Sequence, residues 1–163
     1  MTEPDDQEFS DFFRCEFGRT VRTAYLILHD QQLAEDVAQD AFGQLYRNWA
    51  KVRNYDSPQA WLRRISIRMA VRVARREGSR RALTRGQSPH SLPPERDLDL
   101  AAALRALPAQ QRAAVALHYY EDQSAAEIGA LLGCSASTVR THLLRARARL
   151  IELLADEEVD HAE

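Results

Sequence analysis

SAAEIGALLGCSASTVRTHLLRARARL, residues 124–150, reads as two helices separated by a tight turn. Ser124 stands three residues before Glu127, which is the spacing of a capping box. In that arrangement the serine oxygen takes the Glu127 amide and the glutamate reaches back to the Ser124 amide. Ile128, Leu131 and Leu132 supply one apolar face. Gly133 ends the first helix, because glycine takes a left-handed C′ conformation without a Cβ penalty. Ser135 can cap the second helix, whose Val139, Leu143, Ala146 and Leu150 recur at spacings of 4, 3 and 4. That periodicity makes a buried seam. Arg140, Arg145, Arg147 and Arg149 fall off the seam. A short helix, a glycine turn and a basic second helix predict a helix-turn-helix that enters a DNA groove.

Charge is distributed unevenly around this motif. The 163 residues carry a net charge of only −2. Residues 57–96, however, hold 10 basic and 2 acidic side chains, and residues 135–149 hold 4 basic and none acidic. Residues 1–56 carry 11 acidic and 6 basic side chains. Two basic blocks in an acidic chain predict two separate surfaces for a polyanion. The two cysteines, Cys15 and Cys134, are far apart and outside any CxxC spacing, so neither a disulfide nor a zinc site is predicted. Both are expected to act as small, partly buried hydrophobes. No signal-peptide pattern and no membrane-length apolar run is present, which predicts a cytoplasmic protein without membrane insertion.

The fold class expected is all-α, with two small helical domains joined by a flexible linker and a helix-turn-helix in the second. Phe9, Phe12, Phe13, Phe17, Val21, Ala24, Tyr25 and Leu28 mark an amphipathic first helix. Asp30 is placed to cap a second helix from Gln31 to about Val52. Leu33, Val37, Ala41, Leu45 and Trp49 line its inner side, and Glu35, Asp36, Gln39, Asp40 and Gln44 make the other side acidic and polar. Ser57-Pro58 opens a third helix, with proline at the position where its missing N–H costs nothing. Its inner stripe is predicted as Trp61, Leu62, Ile65, Met69 and Val73, with Arg63, Arg64, Arg68, Arg72, Arg75 and Arg76 outside. A one-sign face with tryptophan at its start fits a backbone-tracking groove with a stacking platform. Residues 78–96, rich in Gly and Pro, predict a linker between a domain at 6–77 and a second at 97–155. In the second domain Ala113, Leu117 and Tyr120 are expected in the core, and the acidic tail at 155–163 is expected to fray.

No catalytic constellation, phosphate-cradling glycine loop or metal-ligand set is visible, so an enzyme, a cofactor and a metal are not expected. The histidines are scattered, and His118 reads as a packing residue. On the second helix of the motif, Ser137, Thr138, Arg140, Thr141, Leu144 and Arg145 face outward. The early serine and threonines suit phosphate contacts that set register. Arg140 and Arg145 are candidates for bidentate contacts to guanine, and Arg147 and Arg149 for phosphate contacts.

In combination, three stretches resemble a known family. Residues 107–150 are similar to the region-four domain of bacterial sigma factors of the extracytoplasmic-function (ECF) type. Residues 34–49, AEDVAQDAFGQLYRNW, resemble the family's core-polymerase-binding helix, and 58–76, PQAWLRRISIRMAVRVARR, the helix that engages the −10 element. The resemblance implies a dissociable subunit of RNA polymerase that directs promoter-specific initiation. It implies that Asp36, Gln39, Asp40 and Gln44 dock on core RNA polymerase. It implies that Trp61, Arg64, Arg68 and Arg72 hold and melt −10 DNA, and that Ser137, Thr138, Arg140, Thr141 and Arg145 read −35 DNA. It also implies an anti-sigma factor as partner, and a linker running toward the polymerase cleft. Arg68 and Arg72 stand where the family commonly has Asn and Asp, and His142 and Leu144 where it often has Arg and His. The alternative is a stand-alone helix-turn-helix regulator, which would bind a palindromic duplex tightly without polymerase.

Overall fold

The computed structural model describes residues 3–83 and 96–160. Among them every regular element is helical: α1 (Glu3–Leu28), α2 (Gln31–Arg47), α3 (Trp49–Val52), α4 (Pro58–Leu83), α5 (Arg96–Ala106), α6 (Ala109–Val115), α7 (Ala125–Leu132) and α8 (Ala136–Asp160), with a π-helical stretch at Ala116–Tyr120 after α6. The chain divides into two compact units, Met1–Val73 and Ala74–Glu163.

In the first unit α1 packs along α2. Ala41, Phe42, Leu45, Trp49, Val52 and Leu62 form the buried cluster, and Phe9, Phe12 and Phe17 close over it. Rings meet edge-on or tilted: Phe9 and Trp49 lie 5.4 Å apart, Phe12 and Trp49 5.3 Å, Phe13 and Phe42 4.8 Å. Such pairs contribute about 0.5–1.5 kcal/mol each beyond the area they bury. The indole N–H of Trp49 donates to the Asp5 carbonyl at 3.2 Å, so its polar atom is satisfied. At the α1–α2 corner His29 takes a positive φ of 51°, and Asp30 caps α2 by accepting the Leu33 amide at 2.9 Å. The predicted helix to Val52 is broken at Asn48, whose side-chain amide donates to the Gln44 carbonyl at 2.8 Å. An asparagine that competes for backbone partners in this way favours a helix end.

Ser57 caps α4 through the Ala60 amide at 3.1 Å, with Pro58 as first helical residue. The buried seam of α4 differs from the expected stripe. Leu62, Ser66, Ile67, Ala70, Val71 and Ala74 are buried, while Trp61, Ile65, Met69 and Val73 lie half-exposed along its edge. The buried positions 66, 70 and 74 hold small residues, which a reading weighted toward large apolar residues overlooks. The predicted linker also begins later. α4 continues through Gly78 to Leu83, since one glycine costs a helix only about 1 kcal/mol. The linker residues 84–95 lie outside the described residues.

In the second unit α5, α6 and α7 each pack on α8. Leu104, Leu107, Ala113, Leu117, Ile128, Val139, Leu143 and Ala146 are buried. Arg112 is buried with them, and its guanidinium donates to the Arg105 carbonyl at 3.1 Å. It thus supplies a cation where the α5 carbonyls end, which is the favourable pole of that helix. Tyr120 is not in the core but 55% exposed. The π-helical stretch from Ala116 to Tyr120 turns through a smaller angle per residue than an α-helix, so a core position counted at the α-helical period turns outward. The tail expected to fray is helical to Asp160, in a run of good helix formers without glycine or proline; residues 161–163 lie outside the described residues. Cys134 is half-buried, but Cys15 is exposed, because it falls off the aromatic face of α1.

Candidate nucleic-acid interface

The motif at 124–150 forms as local chemistry dictates. The Ser124 hydroxyl accepts the Glu127 amide at 3.2 Å, and the Glu127 carboxylate accepts the Ser124 amide at 2.8 Å. Gly133 closes α7 at φ 74°, ψ 35°. The amides of Gly133 and Cys134 both donate to the Gly129 carbonyl, at 2.8 and 3.0 Å. Ser135 then caps α8 by accepting the Thr138 amide at 3.1 Å. Gly129 carries a demand that hydrophobic periodicity does not display. A Cβ there would meet the Cys134 carbonyl oxygen at 2.5 Å, so the turn folds directly over its bare Cα. Ser124→Ala removes one cap of α7 and is expected to lower stability by about 1 kcal/mol. Chemical denaturation of the full chain monitored by far-UV circular dichroism checks this; an unchanged second-unit transition would count against the cap.

The seam Val139, Leu143 and Ala146 is buried, with Leu150 half-buried, which turns Ser137, Thr138, Arg140, Thr141, Leu144 and Arg145 to the exposed side together. Two of the hydroxyls are engaged within the helix. Thr138 Oγ1 lies 3.0 Å from Ser135 Oγ, and Thr141 Oγ1 donates to the Ser137 carbonyl at 3.2 Å. Arg147 differs from Arg140 and Arg145: its Nε donates to the Tyr119 hydroxyl at 2.6 Å, and its guanidinium carbon lies 5.5 Å from that ring's centroid. Arg149 pairs with Glu152 at 3.2 Å. The arginines expected to reach bases are therefore distinguished from those further along by their partners as well as by position. Burial, and then the nearby Arg145 charge, push the His142 pKa below its ordinary value, which favours the uncharged imidazole.

On α4, Arg64, Arg68 and Arg72 form an exposed ridge at four-residue intervals, one turn or about 6 Å apart. Trp61 is half-buried and packs on the first unit's core, so only part of its ring is accessible. On α2, Asp36, Gln39 and Asp40 are exposed and Gln44 is half-buried. The Asp36 carboxylate accepts the Gln32 side-chain amide at 3.0 Å. Among the described residues no cluster of three or more His, Cys, Asp or Glu side chains could hold a metal ion, and no helix is long and apolar enough to cross a membrane.

The two halves match separate models of one protein class, the Sigma-70 type. Sigma-70 region 2 matches residues 12–80, and Sigma-70, region 4 matches residues 97–150. The chain is 32% identical over 169 residues to the ECF RNA polymerase sigma factor SigE of Mycolicibacterium smegmatis, covering 95% of this chain and 65% of that protein's length. It is 31% identical over 158 residues to the RNA polymerase sigma-E factor of Streptomyces coelicolor, covering 94% of this chain and 89% of that protein. Among solved structures, the sigma factor RpoE of Bartonella quintana, in complex with the anti-sigma factor NepR, aligns at a TM-score of 0.67 and 26% identity over 91% of this chain and 98% of that one. The protein belongs to the ECF RNA polymerase sigma factors.

Proposed function

We propose that this chain binds core RNA polymerase and directs it to a set of promoters through two DNA elements. In this reading the acidic face Asp36, Gln39, Asp40 and Gln44 docks on the polymerase. Trp61 with Arg64, Arg68 and Arg72 captures the −10 element as it unstacks. Ser137, Thr138, Arg140, Thr141 and Arg145 read the −35 duplex. The domains are 6–77 and 97–155, and the protein works in the cytoplasm, where the polymerase is. An anti-sigma factor is the proposed regulator, by analogy with the Bartonella relative solved with one.

The observation that carries this reading is the match of regions 2 and 4, in that order, with only residues 81–96 between them. The physical division of labour agrees with it. A ridge of arginines beside an aromatic ring holds single-stranded bases by charge and stacking, which requires no nucleotide hydrolysis. A capped rigid helix reads duplex edges. Two weak DNA contacts become one strong contact when a third body fixes their separation.

Run-off transcription with core enzyme is the test. Promoter-specific transcripts are expected only when this protein is present, and a transcript pattern indifferent to it would overturn the reading. Arg140→Ala is expected to lose about 1–3 kcal/mol of −35 discrimination, roughly a tenfold drop in transcription from promoters that depend on that element. Equal sensitivity of wild type and variant to −35 mutations would remove Arg140 from the base-reading set.

A further inference from the structure

Resting on the reading of α8 as the −35 helix, we propose that Leu144 and the methyl group of Thr141 form an apolar contact that selects thymine in the −35 element. Leu144 is 65% exposed, whereas its seam neighbours Val139, Leu143 and Ala146 are between 0% and 5% exposed. The side chain therefore lies outside the buried seam that holds the unit together. It also lies at the centre of the outward face. Arg140 precedes it by four residues, and Arg145 follows Thr141 by four, so the two guanidinium groups flank the pair on one side of the helix. Thr141 is three residues before Leu144, the other spacing that brings helical side chains together.

Hydrogen bonding sets the chemistry of this spot. The Thr141 hydroxyl donates to the Ser137 carbonyl at 3.2 Å, so its proton is spent within the helix, and beside an acceptor lone pair the side chain offers a base its methyl carbon. Leu144 has no donor or acceptor. Between two arginines, the helix thus offers carbon to the groove floor. The major groove displays one carbon group among its donors and acceptors, the C5-methyl of thymine. Cytosine in the same place presents an amino donor and no methyl, and would leave that donor against an apolar surface. The flanking arginines meet phosphate or guanine on either side, which positions the apolar pair over an intervening base.

The test uses holoenzyme assembled from core polymerase and the full chain. Preferred −35 sequences are first selected from a randomised duplex library. Each thymine in the selected element is then replaced by deoxyuridine, which removes the methyl and nothing else. Loss of one buried methyl is expected to lower promoter-specific initiation about fourfold at the contacted position. Leu144→Ala should bring the thymine-to-deoxyuridine ratio close to one. Thr141→Val, which keeps the methyl, should preserve the ratio, and Thr141→Ser, which keeps the hydroxyl, should reduce it. Far-UV circular dichroism of each variant is expected to match wild type, since both side chains are exposed. Wild-type transcription that is indifferent to deoxyuridine at every −35 position overturns the proposal, as does a Leu144→Ala protein with the full ratio. Absence of any promoter-dependent transcription is a different failure: it removes the sigma-factor reading itself, and this contact with it.

Discussion

Gly129→Ala is expected to destabilise the second unit by about 2–3 kcal/mol, within the usual range for overpacking, and to abolish use of the −35 element. The added Cβ would lie 2.5 Å from the Cys134 carbonyl oxygen, 3.3 Å from the Ser135 carbonyl carbon and 3.4 Å from the Ala136 nitrogen. All three are backbone atoms, so no rotamer change relieves the contact. Either α7 moves away from the turn, or the turn opens and α8 loses its starting point. Gly133→Ala is the informative companion. Its surroundings are open, and only its φ of 74° resists a side chain. That conformational cost is about 1–2 kcal/mol. A thermal melt of the full chain should therefore rank the variants wild type, Gly133→Ala, Gly129→Ala. A Gly129→Ala protein that melts and transcribes like wild type would show that the turn does not close over α7 as described.

If the proposed docking face is right, Asp40→Arg is expected to weaken binding to core polymerase by about 3 kcal/mol, roughly a hundredfold in Kd, because it puts a cation where the proposal sets a carboxylate against a basic surface. Asp40 is exposed in the middle of α2, while the buried side of that helix is made by Val37, Ala38, Ala41, Phe42 and Leu45. The substitution therefore leaves the fold alone. Asp40→Asn, which removes charge without reversing it, should fall between. Titration of labelled protein with core enzyme at two salt concentrations measures both affinity and its ionic-strength dependence. Normal co-purification of Asp40→Arg with core would take Asp40 out of the docking face.

Much of this architecture is legible in the chain because it depends on local chemistry. The capping box at Ser124 and Glu127, the left-handed Gly133, the Ser135 cap and the Asp30 cap each involve residues within four positions of one another. The seam of α8 is legible for the same reason, since its period survives whatever packs on it. Features set by distant partners are less accessible. The role of Gly129 depends on a carbonyl that returns to it only after the turn is made. Arg112 is buried because the end of α5 comes to it, a contact that no local pattern displays. Tyr120 is misassigned by any fixed helical period once a π turn intervenes. The α4 seam runs through serine and alanine, which apolar periodicity weighs too lightly to place. On α8 the apolar seam identifies which residues face outward, whereas the hydrogen bonds at Thr138, Thr141 and Arg147 that engage some of their polar atoms are visible only in the structure.

One consequence follows from the sign change along α8. The helix is continuous from Ala136 to Asp160, about 37 Å at 1.5 Å per residue. Its charged side chains are all basic up to Arg149 and all acidic from Glu152 onward. The backbone dipole adds positive charge at the same end as the arginines. The helix is therefore a charged rod with a head and a tail. In the proposed role, the field of a DNA duplex exerts a torque as well as a pull on the unit that carries this helix, favouring approach by its arginine end. This alignment acts within about a Debye length, near 8 Å at physiological ionic strength, so salt would blunt the angular selection along with the attraction.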